Sequence, residues 1–201
     1  MPLVVGFDLD LTLVDSRPGI AAGLRALSEE TGGFIDVGIV LARIGPKLET
    51  ELAHWFPDAD VAAAAATYRR LYWDTCVGTG TSLLPGAAAS VGAVHARGGT
   101  VMVVTAKSEP LSHRCLEHVG LTIDIVVGLV HGDEKRDALK QHAAQIYVGD
   151  TIADIEAAVG AGAVAVGVST GMHSETELAQ AGADVVFASL ADFPDWLATV
   201  T

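Results

Sequence analysis

Short apolar runs, each stopped by a polar residue or a glycine, recur along the chain at Leu3–Phe7, Thr100–Val104, Ile123–Val127, Ile146–Val148, Ala163–Val168 and Asp184–Phe187. They are rich in β-branched residues and too short for helices, so they predict strands buried on both faces. Between them lie stretches with helical character: Gly86–Arg97, Pro110–Val119, Asp137–Ala143, Ile152–Gly160, Ser174–Ala181 and Leu190–Ala198. Strands alternating with helices of this length predict an α/β fold with a mostly parallel sheet and helices on both faces. Such a sheet binds its ligands at the carboxyl ends of its strands.

One region breaks the alternation. From Ser16 to about Leu83 no strand pattern is present; helical runs near Pro18–Thr31, Lys47–Trp55 and Asp58–Trp73 are separated by turn-forming Gly and Pro. Leu83-Leu84-Pro85-Gly86 reads as the turn by which the chain re-enters the sheet. The expected organisation is therefore a Rossmann-like core formed by residues 1–15 and 84–201, with a helical unit of residues 16–83 inserted after the first strand.

Length and composition narrow this picture. A chain of 201 residues suffices for one buried α/β core with a modest insertion. Half the residues are hydrophobic and the mean hydropathy is +0.41, yet the longest apolar candidate, Ala157–Val168, falls short of the ~18 residues that span a bilayer. No membrane association is expected. The start of the chain has no basic segment and reaches Asp8 at once, so it does not resemble a secretory signal, and the cytoplasm is the default location. Cys76 and Cys115 are far apart, without disulfide-framework or zinc spacing, and the seven histidines show no metal spacing either. The net charge of −13 excludes nucleic acid as a partner, since that surface needs clustered Lys and Arg. A phosphate ester remains compatible where a metal ion and one or two cations reverse the field locally.

Three predicted strands end in polar residues: Asp8-Leu9-Asp10-Leu11-Thr12, Thr105-Ala106-Lys107, and Gly149-Asp150-Thr151-Ile152-Ala153-Asp154. Parallel strands bring these ends to one edge of the sheet. The carboxylates of Asp8 and Asp150 would then face each other, which is unfavourable unless a hard divalent cation with oxygen ligands lies between them, and Mg2+ is the natural candidate.

Asp8-x-Asp10-x-Thr12 after an N-terminal apolar strand resembles the first signature of the haloacid dehalogenase superfamily. Thr105 resembles its second, Lys135 is placed like its third, and Gly149-Asp150-Thr151-x-x-Asp154 is similar to its fourth. The resemblance spans the whole chain in order and implies a magnesium-dependent phosphatase acting on a small phosphorylated metabolite, as a monomer or homodimer. It implies Asp8 as the nucleophile that is transiently phosphorylated and Asp10 as the general acid and base. Thr105, Ala106 and Lys135 would bind the phosphoryl group, and Asp8, Asp150 and the Asp10 carbonyl would ligate the ion. Asp154 would orient Lys135 or a metal-bound water, and Thr12 would fix the loop after the nucleophile. Arg136 and Lys140 compete with Lys135 for the lysine role, and Lys107 is either a surface charge or a group at the phosphate rim.

The inserted helices resemble the small cap of the phosphoglycolate phosphatase and β-phosphoglucomutase relatives, where substrate choice would reside. Arg43-Ile44-Gly45-Pro46-Lys47 is the candidate specificity loop: Arg43 or Lys47 would meet a substrate carboxylate or second phosphate, or else face solvent. Asp15 and Ser16 read as a helix cap or hinge, Tyr68, Tyr72 and Trp73 as cap packing, and Gly167–Gly171 as a turn at the site rim. The alternatives are a phosphosugar mutase, a non-catalytic phosphate-binding protein and a dehalogenase; Asp10 disfavours the last two, because neither needs a second acid.

Overall fold

The computed structural model describes residues 2–73 and 80–200. Strand β1 (Val4–Phe7) leads through β2 (Val14–Asp15) into helices α1 (Arg17–Thr31), α2 (Val37–Leu41), α3 (Leu48–Leu52) and α4 (Asp58–Leu71), and the chain returns through β3 (Ser82–Leu83). Then follow α5 (Ala87–Ala96), β4 (Thr100–Val104), α6 (Glu109–His118), β5 (Ile125–Val127), α7 (Asp133–Gln141), β6 (Ile146–Gly149), α8 (Ile152–Ala161), β7 (Val164–Val168), α9 (Glu175–Gln180), β8 (Val185–Phe187) and α10 (Phe193–Thr199). Six strands form one parallel sheet in the order β5-β4-β1-β6-β7-β8. The expected α/β class and all six expected strands are present.

Alternation along each strand sends successive side chains into two separate apolar layers. Val5, Phe7, Val101, Val103, Ile146 and Val148 enter one layer, which is closed by helices α5, α6 and α10 and runs on into α1 through Leu24 and Leu27. Met102, Val104 and Tyr147 enter the other, closed by Ala138 and Leu139 of α7, Ile155 of α8 and Leu178 of α9. Because both faces are covered, the strands carry no polar alternation, which is why they read as continuous apolar runs. Among the described residues no helix is long and apolar enough to cross a membrane.

The excursion between β1 and β4 departs from the sequence expectation in four places. Val14–Asp15 and Ser82–Leu83 pair as an antiparallel two-stranded ribbon, a strand where none was expected; two residues are too few to show a period. Helix α2 was also unanticipated: five residues give little more than one turn, and its visible signal is Asp36, whose carboxylate accepts the amide N–H of Ile39 at 3.1 Å. The helix expected over Lys47–Trp55 is confined to Leu48–Leu52. Ser16 does not cap α1 through its side chain; its hydroxyl is buried with no hydrogen-bond partner among the described residues, while Asp15 accepts the amide and guanidinium N–H groups of Arg17. Cys76 lies outside the described residues, and Cys115 is a buried free thiol.

Two differences fall in the core. Helix α7 starts at Asp133, four residues before the expected Asp137, so Lys135 sits in its first turn. The segment expected as one helix from Leu190 begins as a 3-10 turn over Leu190–Asp192 before α10. The re-entry turn is as expected: Gly86 takes φ +86°, and a Cβ there would lie 2.2 Å from the Leu190 and Ala191 backbone.

Phe7, fully buried and edge-on to Phe193 with centroids 5.5 Å apart, joins the central strand to α10. Phe7→Ala is expected to cost about 3–5 kcal/mol, read as a lower urea midpoint at unchanged slope; a loss of under about 1 kcal/mol would show that this layer is not the packed core described.

Candidate active site

Strand β1 lies between β4 and β6, and Phe7 is in register with Val103 on one side and Val148 on the other. The residues that follow these three strands are therefore neighbours at one edge of the sheet. The amide N–H of Asp8 still donates to the Val148 carbonyl at 2.8 Å, which fixes the Asp8 backbone as an extension of the strand. Beyond it the chain turns tightly. The Leu9 carbonyl accepts N–H groups from Leu13 and Val14, and Leu11 is held at φ +61° with its side chain buried. A left-handed non-glycine residue costs about 1–2 kcal/mol, so this turn persists because burial and hydrogen bonds over-determine it.

Four charged groups meet beneath this turn. The Asp8 Oδ1 atom accepts the Leu9 amide N–H at 2.8 Å and lies 3.2 Å from Lys135 Nζ. Lys135 Nζ donates to Asp154 Oδ1 at 2.7 Å. The Thr12 hydroxyl donates to Asp150 Oδ1 at 2.9 Å. Asp154 is fully buried and caps its own helix: its Oδ2 accepts the amide and the hydroxyl of Thr151, while the Tyr147 hydroxyl lies 3.2 Å from its Oδ1. The Gly149 position permits this docking, since a Cβ there would lie 2.3 Å from Asp154 Cβ.

Burial sets the protonation of the cluster. It pushes the Asp8 carboxyl up to about 7, against the pull of Lys135, and pushes Asp150 well above the carboxylate range, helped by Asp154 and Asp8. Burial opposes the Lys135 charge too, but Asp154 and Asp8 overcome it and hold the ammonium above its ordinary range. Asp154, also penalised by burial, stays low because Lys135 and Thr151 satisfy it.

Carboxylate oxygens of Asp8, Asp150 and Asp154 lie within 4.8 Å of one another, all three buried. Both oxygens of Asp154 are already taken by Lys135, Tyr147 and Thr151, whereas Oδ2 of Asp8 and of Asp150 accepts no hydrogen bond among the described residues. Two buried hard oxygens of this kind fit a small divalent cation. Gly171 packs against Asp150, where a Cβ would lie 1.9 Å from Oδ2; the glycine-rich segment thus closes the rim, as its sequence suggested.

Above the cluster is a cavity of about 110 Å³ lined by Asp8, Asp10, Thr105, Ala106, Lys107, Asp150 and residues of the helical excursion that include Arg43 and Gly45. Gly45, at φ +149°, brings its loop against Thr151, whose Cγ2 would lie 3.3 Å from an added Cβ. Lys107 is no surface charge: its side chain is 8% exposed, its Nζ lies 2.9 Å from Asp10 Oδ1, and it stands 4.8 Å over the Tyr72 ring. No local pattern announces that pair, because the two residues come from different loops. Lys47 does not line the cavity; its ammonium pairs with Glu134 at 2.6 Å, beside Lys135. Arg136 pairs with Asp133 and Asp137 at the surface, and among the competing cations Lys135 reaches the acids. Thr12 holds Asp150 through its hydroxyl, where only its own loop was expected to be its partner.

The family model described as haloacid dehalogenase-like hydrolase matches residues 5–168. The chain is 33% identical to a phosphoglycolate phosphatase of Rhodospirillum rubrum, over 98% of this chain and 91% of that protein. It is 30% identical to a phosphoglycolate phosphatase of Yersinia pestis, over 94% and 90%. A solved hydrolase from Pseudomonas syringae superposes with a TM-score of 0.81 at 21% identity, covering 100% of this chain and 99% of that one, which shows the common fold.

A carboxyl raised by burial binds its proton in the folded state before the unfolded chain does. Without metal, the stability contributed by protonated Asp8 is therefore full below about pH 4 and is lost as pH rises through about 7. In EDTA, Tm is expected to fall between about pH 5 and pH 8, and added Mg2+ is expected to raise Tm more at the higher pH. An equal rise at both would contradict a site built from Asp8 and Asp150. Gly171→Ala is expected to shrink the Mg2+-induced rise, because the new methyl displaces Asp150; an undiminished rise would show that Asp150 is not so confined.

Proposed function

This chain belongs to the haloacid dehalogenase-like hydrolases, and from that membership we propose that it is a magnesium-dependent phosphatase that cleaves a small phosphorylated metabolite through an aspartyl-phosphate on Asp8. The observation that carries this reading is the buried pair Asp8 and Asp150, their oxygens within 4.8 Å, with Lys135 held against Asp8 by Asp154. Two such acids are tolerable together when a cation offsets them.

In this reading one carboxylate oxygen of Asp8 attacks phosphorus and forms the new O–P bond as the bond to the leaving oxygen breaks, and its other oxygen is the one left to the ion. Asp10 gives its proton to that oxygen, then takes one from the water that displaces Asp8 and releases inorganic phosphate. Lys107, 2.9 Å from Asp10, positions that carboxylate. Lys135 and the Thr105 loop bind the phosphoryl oxygens, and Asp154 positions Lys135. Magnesium bound by Asp8, Asp150 and the Asp10 carbonyl would offset the charge of the phosphoryl group and the acids.

We assign residues 16–83 as a cap over a core of residues 1–15 and 84–201, the two crossings being made by the β2–β3 ribbon. The cap helices complete the cavity wall and would exclude water from the reacting group. Phosphoglycolate is the substrate named for the relatives, and it is the reference ester against which the leaving-group preference of this chain is to be measured. The mutase alternative needs cap cations free to hold a second phosphate, and Arg43 and Lys47 are both ion-paired.

With p-nitrophenyl phosphate and Mg2+, Asp8→Asn is expected to abolish turnover, and Asp10→Asn to lower kcat by roughly 10²–10⁴-fold. Retained turnover in Asp8→Asn would overturn the covalent step.

A further inference from the structure

The helical excursion lines the cavity over Asp8 with the apolar Ile20, Leu24, Val40, Ile44 and Leu48 and with the charged Arg43, Glu51 and Arg69. Three cations also line the cavity, and a carboxylate already holds each. Arg43 donates two hydrogen bonds of 2.7 Å to Glu51, one to each oxygen. Lys107 is paired with Asp10 at 2.9 Å, and Arg69 with Glu49 at 2.7 Å.

Releasing these cations is costly in proportion to the burial of what they leave. The Glu51 side chain is 10% exposed and, without Arg43, would keep among the described residues only the Trp55 Nε1 donor at 2.7 Å. Lys107 is almost wholly buried, and its departure would strip Asp10 of its cation. The Arg69 pair is the most exposed of the three and so the weakest, yet its guanidinium is engaged as well. A second anion on the substrate would therefore enter a small, largely apolar space in which each lining cation is spoken for, and it would lose its hydration without gaining a counter-charge.

Resting on the phosphatase reading above, we propose that the preferred substrates are phosphomonoesters of small, uncharged and largely apolar alcohols, and that a carboxylate or second phosphate on the leaving group is selected against. Arg43 then shapes the cavity wall as half of a neutral pair, and does not serve as a receptor for a substrate anion. This departs from the substrate named for the relatives. Residues that differ at the cap between related chains can change the leaving group while the phosphoryl-binding core stays the same.

The test compares n-butyl phosphate with phosphoglycolate, with Mg2+ present. Both release primary alcohols and differ chiefly in the carboxylate. kcat/KM is expected to favour butyl phosphate by about tenfold or more, the factor that corresponds to about 1.4 kcal/mol. Glu51→Gln, which keeps an acceptor for Trp55 and frees the Arg43 charge, is expected to raise the ratio of phosphoglycolate to butyl phosphate turnover by roughly tenfold. Equal or faster turnover of phosphoglycolate by the unaltered enzyme would overturn the inference and leave the phosphatase reading standing. An unchanged ratio in folded Glu51→Gln would also count against it. No turnover of either ester or of p-nitrophenyl phosphate would remove the phosphatase reading, and this inference with it.

Discussion

Lys135 is held 2.7 Å from Asp154 and 3.2 Å from Asp8, all three side chains buried, and the rest of the site is arranged around that constraint. One ammonium cannot neutralise Asp8, Asp150 and Asp154 together. Asp154 uses most of its share, since it is the acid that stays below its ordinary range, and the deficit falls on Asp8 and Asp150. These two, unlike Asp154, line the cavity, and each has an oxygen that accepts no hydrogen bond among the described residues. The protein thus stabilises one carboxylate with its own donors and leaves two under-compensated, the arrangement on which the proposed divalent ion and attack on phosphorus rest.

The fold makes this arrangement affordable. Parallel strands covered on both faces place Asp8 and Asp150 one sheet position apart, and the strand order puts β1 between the two strands whose loops complete the site. Close backbone approaches do the fine placement: Gly149 lets Asp154 dock, and Gly171 sits against Asp150. Tyr147 points from β6 into the second apolar layer, with its hydroxyl between the Val104 carbonyl and Asp154. It ties a charged group to the core without leaving a polar atom unpaired. The helical excursion contributes the opposite wall, where ion pairs are internally closed. In the proposed reading, chemistry and selection therefore reside on different parts of the chain.

Much of this was legible in the sequence, and the reason is local. Strands buried on both faces read as apolar runs, and a run that stops at Asp8, Thr105 or Asp150 marks a polar strand end at the sheet edge. The Asp8–Thr12 loop, the Gly149–Asp154 motif and the re-entry turn at Gly86 are short-range patterns of this kind. What escaped notice was long-range or too short to have a period. The Lys107 to Asp10 pair joins two loops from different strands; Arg43, in the turn after α2, meets Glu51 of α3 rather than a partner at a helical spacing; and the β2–β3 ribbon has two residues per strand. Lys47 shows the same limit from the other side: as a cation in the cap loop it suggested a substrate contact, but Glu134, far away in sequence, holds it.

A crystal structure grown with Mg2+ and beryllium fluoride, a mimic of the phosphoryl group, tests the central electrostatic claim most directly. The account predicts beryllium bonded to an Asp8 carboxylate oxygen, the ion shared by Asp8 and Asp150, and Lys135 still clasped by Asp154. An ion bound elsewhere, or a fluoride adduct away from Asp8, would show that the under-compensated pair is not the seat of the reaction.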